Sequence, residues 1–294
     1  MPLTLKPLHP LFVAEATGVD LRQPLPPGMA DEIHRAMDRY AVLVFPGQDI
    51  DDDRQMDFGR QLGTLEPTRG VVDANKHRLK HQEMNDISNL DTDGKLLAAD
   101  DRRRMFALGN RLWHSDSSFK PTPALYSMLH ARVIPPEGGE TEFADMRAAW
   151  DALPDRTKAK IRDLTTWHSL IYSRAQLGFD EYTPEEKKAF APVPQRLVRR
   201  HPGSGRVSIY LSSHIGRVEG MPVPEGMAMI RDLTEHATQR DFVHRHHWRL
   251  HDLVVWDNRC TLHRARPFED NTYPRDMRRV TLQDVAPTLE QAAA

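Results

Sequence analysis

Apolar residues recur at helical spacing over residues 29–41, at Met29, Ile33, Ala36, Met37 and Tyr40, and predict a helix there. The run Ala41-Val42-Leu43-Val44-Phe45 follows at once and is closed by Pro46-Gly47, which predicts a buried strand. Asp51 to Leu62 predicts a second helix, with acidic residues in the first turn where the helix dipole favours them. Residues 66–106 are polar, charged and weakly periodic, and predict a long loop of the kind that forms lids or binding elements. From Trp113 onward short strand-like runs dominate: Ala124 to Val133, Val207 to Leu211 and Leu253 to Trp256. Met146 to Leu153, Pro154 to Leu164 and Met221 to Thr238 predict helices, and residues 173–196 a polar insertion. No internal repeat interrupts the pattern. The expected fold is mostly β with helical decoration, a β-sandwich or jelly roll, read as one domain over residues 1–294.

Composition narrows the function classes. Of 294 residues 39% are hydrophobic, enough for a sizeable core. Forty Lys+Arg against 42 Asp+Glu leave a formal charge of −2, which argues against a nucleic-acid partner. The longest clean apolar run, Tyr40 to Phe45, falls far short of the ~18 residues needed to span a bilayer, so no membrane partner is expected. Pro2, Lys6, Pro7, His9 and Pro10 break up the N-terminus, which does not resemble a signal peptide. A lone cysteine, Cys260, excludes an internal disulfide, and a reducing cytoplasm is the expected compartment.

The sharpest local chemistry is Trp113-His114-Ser115-Asp116. On an extended segment residues i and i+2 point to the same side, so His114 and Asp116 can offer an imidazole and a carboxylate to one ion. The best third ligand is His263. Two histidines and a carboxylate on one face, with other positions open, is the arrangement of non-haem Fe(II) oxygenases. The bare H-x-D pattern is common, and its ordinary reading is a turn with an exposed histidine. Residues 240–280 hold nine Arg against six acids. Arg275 and Arg279, four apart, share a face on a helix or a strand. Guanidinium groups match carboxylates in paired bonds, which suits a co-substrate acid and a substrate acid; the alternative is a solvated basic strip. His244, His246, His247 and His251 cluster without an obvious carboxylate and read as a surface strand. Cys260 reads as a small buried residue, Gly138-Gly139 as a turn, and Trp113 and Trp256 as core aromatics.

At these residues the chain resembles a known family, the taurine dioxygenase and 2,4-dichlorophenoxyacetate dioxygenase family of Fe(II)/2-oxoglutarate-dependent oxygenases. The resemblance is carried by Asn110–Phe119, Pro136–Ala149, Gly220–Gly226, Glu235–Arg240 and Asp252–Arg264, with His9-Pro-Leu-Phe12 near the start, and leans to the chlorophenoxyacetate branch. It implies a double-stranded β-helix (jelly roll) and Fe(II) held by His114, Asp116 and His263. It implies that Thr141 and Arg275 hold the far carboxylate of 2-oxoglutarate and that Arg279 grips the acid group of the substrate. Asn110, Lys95, His201 and His214 match neighbours of the substrate pocket.

The implied reaction uses O₂ and 2-oxoglutarate to hydroxylate an aryloxyalkanoate, giving a phenol and glyoxylate together with succinate and CO₂. A small anionic aromatic substrate and a homo-oligomer are expected. There are three departures, of which the last two, at Val71 and Arg217, bear on the substrate and the first on the arginine assignment against the taurine branch. The His263-to-Arg275 spacing is one residue longer than in the taurine branch, Val71 stands where the chlorophenoxyacetate branch has a lysine, and Arg217 where it has a histidine. The rival readings are a hydroxylase of a sulfonate or another carboxylate, a non-catalytic jelly-roll binding protein, and a Zn²⁺ hydrolase using the same ligands.

Overall fold

A computed structural model of the chain describes residues 2–67 and 78–294. Its backbone is a seven-stranded sheet in the order Thr4–Pro7, Ala14–Thr17, Val42–Phe45, Leu253–Asp257, Ala124–Val133, Asp276–Gln283 and Met84–Ser88. Every pair is antiparallel except Ala14–Thr17 against Val42–Phe45. A three-stranded sheet, Val243–His246, Thr141–Asp145 and Thr261–Ala265, carries part of the site. Ile215–Val218, Thr165–His168 and Val193–Arg196 form another, and Val198–Arg200 pairs with Val207–Ile209.

At the centre of the large sheet both faces are buried, which is why Val42–Phe45 and Leu253–Trp256 read as unbroken apolar runs rather than as alternation. Leu43, Phe45, Tyr126, Met128, Leu253, Val255, Val280 and Leu282 point to one face, where the helices Met29–Tyr40 and Asp52–Leu62 pack. Val42, Val44, Leu129, Ala131, Val254, Trp256 and Met277 point to the other and meet Phe12 and Phe143. The buried amide of Gln55 ties the second helix to the sheet by donating to the carbonyls of Arg278 (2.9 Å) and Met128 (3.3 Å). Asp51 caps that helix, its side chain accepting from the backbone N–H of Arg54. Ala41, with φ at 59°, ends the first helix and turns the chain into the strand.

The predicted helices are present with trimmed ends: Met146–Asp151, Asp155–Ile161 and Val223–Ala237. Two expectations need correction. The segment 66–106 is not one long loop, because it holds the edge strand Met84–Ser88 and the helix Arg102–Ala107. Met84 and Ile87 anchor opposite faces of that strand, and the polar residues around them hid the pattern. The insertion 173–196 includes the helix Pro184–Ala189 and the strand Val193–Arg196. A reciprocal Thr183–Glu186 capping box starts that helix. The histidine-rich strand exists, but His246 is buried, with Nε2 3.2 Å from Asp252 Oδ2. Among the described residues no helix is long and apolar enough to cross a membrane.

Candidate active site

His114 lies opposite His263, and the two exchange backbone hydrogen bonds, His114 N–H to the His263 carbonyl (3.0 Å) and His263 N–H to the His114 carbonyl (2.9 Å). Their ring centroids are 4.1 Å apart. Asp116, two residues on, faces the same way: its Oδ1 is 3.6 Å from His114 Nε2 and its Oδ2 is 3.7 Å from His263 Nε2. The three buried residues hold their ligand atoms within 4.8 Å of one another. Strand periodicity explains the contribution of His263: Leu262 turns into the apolar cluster beneath the small sheet while His263 turns toward Trp256 and Phe143.

The donor set fits a ferrous ion. His114 Nδ1 lies 2.8 Å from the Leu112 carbonyl, so Nδ1 carries the proton and Nε2 keeps its lone pair for a metal. Burial, and then the nearby His114, push the His263 imidazole well below its ordinary pKa, leaving it neutral. Burial works against ionisation of Asp116, but the Arg279 guanidinium leads the groups that oppose it, and the carboxyl stays well below the usual carboxylate range. Among the described residues no fourth donor joins the cluster. A second buried group, His201, Asp257 and Cys260, is already satisfied. Asp257 accepts from His201 (2.8 Å) and from Arg259 (2.6 Å), and burial raises the Cys260 thiol pKa.

Asp116 is held from three sides. Ser127 Oγ donates to its Oδ2 (2.7 Å) and Arg279 to its Oδ1 (2.7 Å), while its backbone N–H donates to Asn258 Oδ1 (3.0 Å). Asn258 is fixed in turn, accepting from Trp256 Nε1 (3.1 Å) and donating to Ser127 Oγ (2.9 Å). Ser127, Leu129, Met277 and Arg279 alternate along neighbouring strands with Arg279 opposite Leu129, which brings Arg279 to the face the metal ligands occupy. Ser127 and Asn258 escaped sequence reasoning because neither is a ligand and their roles exist only after the strands pair.

A cavity of about 370 Å³ opens over the triad. Asn110, Thr141, His214, Arg275 and Arg279 all line it, together with Phe106, Phe119, Leu170 and Phe190. Register places Thr141 near His263, since Thr141 pairs with Ala265 and Phe143 with His263. Thr141 Oγ1 accepts from Trp248 Nε1 (3.1 Å), which leaves its own proton to be donated elsewhere. Arg275 is buried, and its guanidinium meets only the Gly139 carbonyl at 3.4 Å and no carboxylate among the described residues. Burial lowers its pKa to about 10, so it remains a cation at neutral pH. Gly138 and Gly139, at φ 76° and 72°, make the turn beside it. A Cβ on Gly138 would come within 2.6 Å of the Pro267 carbonyl oxygen.

Two residues expected near the substrate lie elsewhere. Lys95 is exposed and outside the cavity lining, its backbone N–H donating to Asp91. His201 is buried beneath the site, bonded to Asp257 and Ser204. Arg217 is exposed over the Trp167 ring, 4.6 Å from its centroid, so that departure does not reach the cavity. Val71 falls outside the described residues. Arg174, which sequence reasoning did not single out, lines the cavity.

Comparison with known proteins agrees with this geometry. The model of the family described as "Taurine catabolism dioxygenase TauD, TfdA family" matches residues 4–281. The chain is 46% identical over 286 residues to the alpha-ketoglutarate-dependent 2,4-dichlorophenoxyacetate dioxygenase of Cupriavidus pinatubonensis, covering 97% of this chain and 99% of that one. It is 35% identical to the (S)-phenoxypropionate/alpha-ketoglutarate-dioxygenase of Delftia acidovorans, covering 94% and 93%. The crystal structure of AAD-2 in complex with Mn(II) and N-oxalylglycine superposes with a TM-score of 0.95 at 56% identity, covering 98% of this chain and all of that one. The chain belongs to the TauD/TfdA family, an alpha-ketoglutarate-dependent dioxygenase with the jelly-roll fold.

Proposed function

We propose that the protein hydroxylates an aryloxyalkanoate, a small aromatic ether bearing a carboxylate, at the carbon between the ether oxygen and the acid. His114, Asp116 and His263 would hold the ferrous ion, and Thr141 and Arg275 the far carboxylate of 2-oxoglutarate. The observation that carries the reading is Arg275: a buried guanidinium with no described carboxylate partner, in the cavity that contains the triad. An unpaired buried cation is costly, and an acid that binds there relieves the cost.

Ferrous iron and 2-oxoglutarate, when bound, supply oxidation of a substrate C–H by O₂, one oxygen atom entering succinate and the other the substrate. The chain's own residues position the partners. Thr141 can donate its hydroxyl proton to the 2-oxoglutarate carboxylate beside Arg275, since its oxygen already accepts from Trp248. Arg279 fixes the orientation of Asp116 and lies in the lining, and its buried Nε has no partner among the described residues. Phe106, Phe119, Leu170 and Phe190 offer an apolar wall to an aromatic ring and exclude water. Positioning dominates, because displacing the reacting carbon by ~1 Å can cost about a hundredfold. The hydroxylated product is a hemiacetal or hemiketal, which collapses to a phenol and a 2-oxo acid, glyoxylate from an aryloxyacetate and pyruvate from a 2-aryloxypropionate. Relatives named for 2,4-dichlorophenoxyacetate and (S)-phenoxypropionate support this substrate class.

The test is an anaerobic titration of the Fe(II)-loaded protein with 2-oxoglutarate, followed by exposure to air with aryloxyacetates, aryloxypropionates and sulfonates. A visible metal-to-ligand band, then phenol and succinate in equal amounts from an aryloxy acid, is the expected result. Succinate release stimulated only by sulfonates would reject the substrate class and keep the reaction.

A further inference from the structure

Among the described residues nine cations line the cavity: Arg78, Arg103, Arg104, Arg111, Lys120, Arg174, Arg266, Arg275 and Arg279. Seven are paired with described acids. Arg78 meets Asp86 and Asp276, Arg103 meets Asp101, and Arg104 and Arg111 share Asp270. Lys120 meets Glu66, Arg266 approaches Glu142, and Arg279 meets Asp116. Arg174 and Arg275 alone among them have no acid partner among the described residues. If Arg275 serves 2-oxoglutarate, one buried cation is left over, and the reaction brings one further acid.

Arg174 is held in place for such a partner. It lies on the short helix Leu170–Ala175, capped by Ser169, whose side chain accepts from the Tyr172 N–H. Its guanidinium stacks on Phe106 with Cζ 4.5 Å from the ring centroid and lies flush on Gly109, where a Cβ would come within 2.0 Å of Nη1. Among the described residues its head group makes only a 3.3 Å bond to Ser173 Oγ, and its buried Nε has no partner. Burial lowers its pKa to about 10; Tyr182 and Asp116 oppose that fall and the positive charge of Arg279 adds to it. Arg174 and Arg279 line the same cavity. Two like charges lining one cavity repel, and a carboxylate between them turns that cost into attraction.

We propose that Arg174 is a second anchor for the acid group of the substrate, which it holds together with Arg279. The aromatic ring then lies among the apolar residues that surround Arg174. This inference rests on the aryloxyalkanoate reading above. Arg279 keeps Asp116 with one nitrogen and offers another to the same acid.

The test is calorimetric binding, under anaerobic conditions, to protein loaded with Fe(II) and 2-oxoglutarate, of 2,4-dichlorophenoxyacetate and of its uncharged amide. Arg174→Gln should weaken binding of the acid about ten- to a hundredfold, as expected for losing a charged hydrogen-bonding partner. Binding of the amide and of 2-oxoglutarate should change less than about threefold. Arg174→Lys, which keeps the charge but not the planar fork, should fall between the two. If Arg174→Gln does not fold, Arg174→Lys decides: acid binding as tight as in the unaltered protein overturns the proposal. Equal losses for acid and amide also overturn it, because they mark a packing role. Unaltered protein that binds neither compound would instead defeat the substrate reading on which the proposal stands.

Discussion

His114 commits one ring nitrogen to the Leu112 carbonyl, and Asp116 has Ser127 and Arg279 on its two oxygens, so the ligand atoms are aimed before an ion arrives. Replacing His114 with alanine should abolish stoichiometric Fe(II) binding in an equilibrium titration. Activity should fall by more than the roughly hundredfold typical of losing an outer partner. Arg275 gives the opposite balance of stability and function. Arg275→Met removes a buried cation that lacks an acid, so the ligand-free protein should melt at the same temperature or higher, while 2-oxoglutarate affinity falls about a hundredfold. A lower melting point together with unchanged 2-oxoglutarate binding would contradict that role. The guanidinium loses its proton as pH rises through about 10, so 2-oxoglutarate binding should decline over that range in the unaltered protein and not in the methionine variant.

At the scale of elements, the site is assembled from strands whose faces alternate, and from the turns that aim them. The turn at Gly138-Gly139 delivers Thr141 and leans on the strand end that carries Arg275. Gly138→Ala meets both a left-handed backbone and the Pro267 carbonyl, so it should destabilise by roughly 1–3 kcal/mol in denaturant unfolding and raise the KM for 2-oxoglutarate. The same alternation decided what the sequence made legible. The helix over 29–41 and the strand after it were readable because their apolar spacing is strong, and the triad because its residue types are distinctive. Met84–Ser88 was not readable, since an edge strand with Asn85, Asp86 and Ser88 lacks an apolar signature. Lys95 and His201 matched a pattern by position, yet the fold places one in solvent and the other beneath the site. Arg174 left no trace in periodicity, because an unpaired cation is a property of its neighbours rather than of its own segment.

At the scale of the molecule, several histidines are buried in the neutral form. His168 has both ring nitrogens against hydroxyls, Ser118 Oγ and Thr166 Oγ1 at 2.9 Å each, and burial lowers its pKa to about 3. Burial lowers His130 to about 4, with Arg132 adding to the effect. The unfolded chain therefore takes up more protons than the folded one below pH ~6.5, and stability is lost as pH falls through that window. Urea unfolding should show a loss of about 2 kcal/mol from His168 alone between pH 7 and pH 5, and His168→Gln should flatten the slope. A pH-independent midpoint over that range would count against a neutral buried ring. The two guanidinium groups that lack acids also bear on handling. Phosphate, citrate or chloride in a storage medium can settle against Arg174 and Arg275 and compete with both reactants. Rate constants measured in different salts would then describe differently inhibited preparations, and a weakly coordinating zwitterionic buffer is the fair baseline.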